Sequence, residues 1–126
     1  MAAMSNDSHT VSPELASALG RFLSDSKARD VVVLDVDKHC SWARLLVIGT
    51  YNSVGHLKGL VQDLDAWSSE HFPEAPRHMK KNQVNDWMLV DWDDIVIHLF
   101  SESARSYYEL EKIWFSAPVI YRSPAT

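Results

Sequence analysis

Two carboxylates one residue apart, Asp35 and Asp37 in the run DVVVLDVD, have the type and spacing to do chemistry. Side chains two apart point to the same side of a strand, and such pairs can hold the metal ions of nucleotidyl transfer. That reaction also needs a Gly-Ser phosphate loop ahead of the carboxylates. None precedes them, and the chain has only four glycines, so Asp37 is better read as the start of a turn. Cys40 is the single cysteine, which excludes an internal disulfide framework and a multi-cysteine zinc site. Its neighbour His39 is the one base at hand, a weak basis for a nucleophile. The six histidines show no His-x-x-x-His or similar spacing, so no metal is expected. On these grounds the chain is expected to have no catalytic residue and no cofactor.

A different constellation lies between Trp87 and Trp114, in WMLVDWDDIVIHLFSESARSYYELEKIW. If Asp91 and Asp94 flank a two-residue turn of Trp92-Asp93, the pairing of a hairpin follows. One face then carries Met88, Val90, Ile95, Ile97 and Leu99, which is apolar throughout and must be core. The other face sets Trp87 beside His98, Leu89 beside Val96, and Asp91 beside Asp94. Asp93 would take a positive φ, at modest cost for Asp. In the helix that follows, Ala104, Tyr107, Tyr108, Leu110, Ile113, Trp114 and Phe115 cover an arc of roughly 220° at 3.6 residues per turn. Glu111 falls inside that arc. One sheet cannot bury so wide an arc, and Tyr and Trp around a placed charge are what protein interfaces favour. Aromatic residues at helical spacing also fill cores, and Glu111 could pair with Arg105, His98 or Arg122 within the fold.

The remaining elements must hold this stretch in place. Ser12-Pro13-Glu14 starts a helix, with Ser at the cap and Pro at the first helical position. Leu15, Leu19, Phe22 and Leu23 follow at helical spacing, and Gly20 weakens the helix slightly. DVVVLDVD reads as a strand covered on both faces, and LLVIGT, ending at Thr50, as a second. Ser53 caps a helix whose Val54, Leu57, Leu60, Val61, Leu64 and Trp67 fall within roughly 140°. His71-Phe72-Pro73 ends it, and a loop is expected to about Asn85. The pattern predicts an α/β (α+β) domain over 12–116, with a mixed sheet of four to five strands flanked by helices. Residues 1–11 and 117–126 are expected to be tails.

At 126 residues the chain can bury one core, and 46% hydrophobic with 23% charged residues is a globular composition. No apolar run approaches the roughly 20 residues that span a bilayer, so no membrane partner is expected. The first ten residues do not resemble a signal peptide, and a reducing cytoplasm is the expected compartment. The balance of 12 basic against 17 acidic residues gives net −5. This argues against direct nucleic-acid contact and suits a basic protein partner. The one basic cluster is Arg77-His78-Met79-Lys80-Lys81.

Taken in order, the motifs resemble the ribosomal silencing factor family (RsfS, also called Iojap). They are Leu34-Asp35, then Thr50/Ser53/His56, then Trp87/Leu89/Asp91/Asp94/His98, and finally Arg105/Tyr108/Leu110/Glu111/Trp114. The resemblance covers about 100 residues. It implies a core similar to nucleotidyltransferases without catalysis, and binding to the large ribosomal subunit through its ribosomal protein number fourteen. Occupying that surface would keep the small subunit from docking and so repress translation. Organelle relatives look like assembly factors for the large subunit. The sequence departs from the family pattern at Arg44, Tyr51, Gly55, Lys80, Lys81 and Asp93, which bears on the details of the partner surface. Trp87, Asp94, His98, Tyr108 and Glu111 are expected to form the contact surface, with Arg105 and Trp114 supporting it. A homodimer of the free protein is a further expectation.

Overall fold

The computed structural model describes residues 13–36, 44–71, 80–84, 86–92, 95–108 and 117–124, with the backbone alone for 13, 80–84 and 106–108. The apolar run LLVIGT forms strand β2 (Leu45–Thr50) and IVIHLF forms β5 (Ile95–Phe100); every residue of both is buried. They lie side by side and parallel at the centre of a six-stranded sheet. Strands this apolar must be covered on both faces. Outward from β2 come β1 (Arg29–Asp35) and β6 (Val119–Arg122), each antiparallel to its neighbour. Outward from β5 come β4 (Trp87–Asp91) and β3 (Lys80–Val84), also antiparallel.

Helix α1 (Pro13–Asp25) and helix α2 (Val54–His71) supply the first face of the sheet with its cover. Leu19, Leu23, Leu57, Leu60, Leu64 and Trp67 pack there with Val31, Val33, Val47, Val90, Ile97 and Leu99. Val61 is half-buried, and Val54, at the first position of α2, is 65% exposed, so the buried stripe is narrower than the sequence spacing implies. On the second face Val32, Leu34, Leu46, Ile48 and Phe100 pack with Ala104 of helix α3 (Glu102–Tyr108) and with Ala117.

The sheet is mixed and helix-flanked as expected, but it has two edges that the sequence reading placed outside it. Residues 80–84 form β3, where a loop was expected, and 119–122 form β6, inside the expected C-terminal tail. Tyr121 explains why β6 stays on the sheet. A Cβ added at Gly20 would lie 2.5 Å from Tyr121 Cδ2 and 3.0 Å from Val33 Cγ2. The ring therefore sits on bare helix backbone, with its hydroxyl 3.1 Å from Ser24 Oγ. Gly20 lets strand and helix approach closely.

The hairpin register also differs. Asp91 pairs with Val96, Leu89 with His98 and Trp87 with Phe100. Trp92 N–H donates to Ile95 O at 2.8 Å, so the chain reverses between Trp92 and Ile95, one residue later than expected, and each β4 residue meets a partner two residues further on. The cause is Trp92, whose ring is 3% exposed and stacks parallel to Trp67 at 6.1 Å. Leaving so large an apolar ring in a turn would forgo its burial. A slip of two residues keeps every side chain on its face, so the core face stands, with Val90, Ile95, Ile97 and Leu99 buried.

Candidate functional site

The second face of the hairpin is not evenly covered. Val96, His98 and Phe100 of β5 are 3%, 6% and 0% exposed. On β4 the residues of the same face, Trp87, Leu89 and Asp91, are only half-buried. Beyond them the register sets Val84, Asn82 and Lys80 of β3 opposite Trp87, Leu89 and Asp91 in turn. Burial therefore falls off toward this edge, and a tryptophan and a leucine stand where it does.

Three rings meet at this boundary. The Trp87 and His98 centroids are 5.5 Å apart, those of Trp87 and Phe100 5.2 Å, and those of His98 and Phe100 6.2 Å with the planes nearly parallel. Trp87 is diagonal to His98 in the ladder, within reach of an aromatic side chain, and its Nε1–H donates to His98 Nδ1 at 2.9 Å. The imidazole Nε2 is buried and has no hydrogen-bond partner among the described residues. Burial pushes the His98 pKa down from 6.5 to about 4, so the ring is neutral near pH 7. His98, an expected contact residue, is 6% exposed in the chain alone, with Ile48 and Leu89 as its ladder partners on either side.

The supporting residues fix the end of the sheet nearest this boundary. Ser101 caps α3, accepting from Ala104 N–H at 3.2 Å. Arg105, one turn into the helix, donates to Thr50 Oγ1 at 3.0 Å and so ties α3 to the end of β2. The exposed pair Arg29–Glu102, at 2.9 Å, adds a second link, of small energetic worth at such exposure. The Thr50/Ser53/His56 spacing is structural too. Ser53 Oγ accepts from His56 N–H, His56 Nδ1 accepts from Asn52 N–H, and Nε2–H then donates to Ser26 O at 2.8 Å. Tyr51 is buried in the first-face core and donates its N–H to Phe100 O.

Of the expected contact residues, the structure places Trp87 at the boundary and His98 beneath it. Tyr108 is the last residue of α3, described in its backbone only; Asp94, Glu111 and Trp114 lie outside the described residues, as do Asp37 and Asp93. Phe100 and Thr50 are the residues that the sequence reading did not assign to the site. Alternation along β5 was the signal for Phe100, since Val96, His98 and Phe100 share a face. Asp35 ends β1, half-buried. Among the described residues no group of three or more His, Cys, Asp and Glu could hold a metal, and no helix is long and apolar enough to cross a membrane.

A family model described as "Ribosomal silencing factor during starvation" matches residues 9–125. The ribosomal silencing factor of Treponema pallidum is 35% identical over 101 residues, covering 79% of this chain and 88% of its own length. The Iojap-related mitochondrial protein of Arabidopsis thaliana is 32% identical over 98 residues, 75% of this chain and 53% of that protein. The mouse protein named "Mitochondrial assembly of ribosomal large subunit protein 1" is 32% identical over 94 residues, 73% of this chain and 41% of that one. The chain thus spans most of the bacterial relative and about half or less of the two organelle proteins. A crystal structure of a Chromobacterium violaceum protein shares the fold, with a TM-score of 0.70 at 24% identity over 91% of this chain and 92% of that one.

Proposed function

The chain belongs to the ribosomal silencing factor family, and from that premise we propose that it represses translation without catalysis. It binds the large ribosomal subunit through ribosomal protein number fourteen and so blocks the small subunit. Its setting is the cytoplasm. One observation carries the site: Trp87 and Leu89 stand half-exposed beside β5, every residue of which is buried. Half-exposed aromatic anchors backed by a rigid element are what an interface uses at its centre. Trp87 leads this surface, Leu89 and Asp91 extend it, and Asp94, Tyr108 and Glu111 belong to the same stretch. Trp114 and Arg105 support them. Net charge −5 suits a basic partner.

The test is co-sedimentation with purified large subunits and retention of their fourteenth protein in a pull-down. Trp87→Ala is expected to lose at least about 2 kcal/mol of binding, the threshold of a hot spot, while keeping the unfolding transition cooperative. Unchanged binding by that variant would remove the site. A second reading, assembly of the large subunit, is favoured by the name of the mouse relative. Retention on precursor particles but not on mature subunits would select it over silencing.

A further inference from the structure

We infer that His98 is a positioning residue, whose imidazole Nδ1 holds the Trp87 indole in the one orientation that docking uses; this rests on the docking role proposed for Trp87. An indole N–H can only donate. At 2.9 Å it therefore requires an unprotonated Nδ1 as acceptor, which leaves the hydrogen of the neutral ring on Nε2. That hydrogen is buried and has no acceptor among the described residues. A buried donor left unpaired costs stability.

Packing alone gives no reason to keep such a group. The slot lies in the ladder between Leu89 and Ile48, and a leucine would fill it with no polar atom to satisfy. The imidazole offers one thing that leucine lacks, an acceptor aimed at Trp87. Phe100 stacks on the imidazole and tilts against the indole, so the acceptor is itself held on a fully buried strand. Without that acceptor the indole N–H loses the partner that sets its direction, and the half-exposed ring can present another edge. With it, the ring is fixed before a partner arrives, and the ordering cost of docking is reduced. At 6% exposure His98 acts through Trp87 and does not touch the partner itself.

The experiment uses the full chain labelled with ¹⁵N-tryptophan, whose five tryptophans give five indole signals; Trp87→Phe identifies the one that matters. His98→Gln keeps an acceptor in the slot and His98→Leu removes it. The Trp87 indole proton is expected to exchange slowly with water in the unaltered chain and in His98→Gln, and faster in His98→Leu. Affinity for large subunits should fall about tenfold in His98→Leu, the loss one hydrogen bond represents, and recover in His98→Gln. Far-UV dichroism checks that both variants are folded. An indole that exchanges equally fast with and without the acceptor overturns the inference whatever the subunits do. So does a folded His98→Leu chain that binds as well as the unaltered one, or a His98→Gln chain that loses as much as His98→Leu. An unaltered chain with a protected indole that does not co-sediment instead overturns the docking role of Trp87, a failure visible apart from the brace.

Discussion

Protonating His98 works against the fold. Its pKa in the fold is lowered from 6.5 to about 4 because burial penalises the charged ring. The unfolded chain takes up this proton as pH falls through about 6.5, and the folded chain holds off until about 4, so the unfolded state binds more protons in between. Stability is complete above that window, declines as pH falls through it, and loses on the order of 3 kcal/mol from this group by its lower end. Urea unfolding across pH 7.5 to 4 checks this, with His98→Leu as the reference; identical pH slopes for the two chains would contradict it. Gly20 is a second residue where context overrides propensity. Ala is the better helix former by up to about 1 kcal/mol. Here its methyl would meet the Tyr121 ring at 2.5 Å, and Gly20→Ala is expected to cost about 1–3 kcal/mol net, as overpacked sites do. A rise in melting temperature for that variant would refute the close approach. The sequence placed His98 beside Trp87 through an assumed turn, and the observed register keeps them on one face but diagonal. It could not show the burial of His98, because Ile48 becomes its neighbour only through strand order.

At the scale of elements, what was legible followed periodicity, and what was missed had none. The runs in β1, β2 and β5 are apolar enough to declare themselves, and the hairpin faces survived a wrong register because the error was two residues. Trp92 caused that error: turn chemistry favoured Trp92-Asp93, and the buried contact with Trp67 overrode it. The edge strands gave no comparable signal. KKNQV has one apolar residue and leading lysines, a composition that protects an edge from pairing with another chain. VIYR is four residues long and joins only at β1, across a register shift. It nonetheless holds that edge: Val31 N–H donates to Ser123 Oγ and Ser123 N–H to Val31 O. Deleting 118–126 should therefore uncover β1 and lower the unfolding midpoint by several degrees or abolish folding, since each kcal/mol moves a domain this size about 4 °C. An unchanged midpoint would return those residues to a tail. The end of α1 offers the opposite sign. Lys27 sits at φ 77° where the helix closes through Ala28 N–H to Leu23 O and Lys27 N–H to Ser24 O, the position that favours glycine. Lys27→Gly is expected to stabilise the chain by about 0.5–1 kcal/mol, read from denaturant midpoints.

For the molecule as a whole, shape and charge divide the work of recognition. The half-buried side chains of Trp87 and Leu89 are apolar, which in the proposed reading suits them to holding a partner once docked, and they have no long-range pull. Charge acts at a distance: 17 acidic against 12 basic residues leave net −5 on the chain, and opposite fields steer encounter with a basic protein. The partner proposed above rests on the family to which the chain belongs, whereas the geometry offers only a half-exposed apolar pair. The two contributions separate kinetically. Raising salt from about 0.1 M to 1 M shortens the screening length from about 10 Å to 3 Å, which removes the field but leaves an apolar contact intact. Association with the isolated fourteenth protein should then slow by about tenfold or more, while dissociation changes far less. Trp87→Ala should show the reverse, with near-normal association and faster release. Stopped-flow mixing of the two proteins measures both rates. If salt accelerated release and left encounter untouched, the anchor would be ionic and the apolar edge would not be the docking surface.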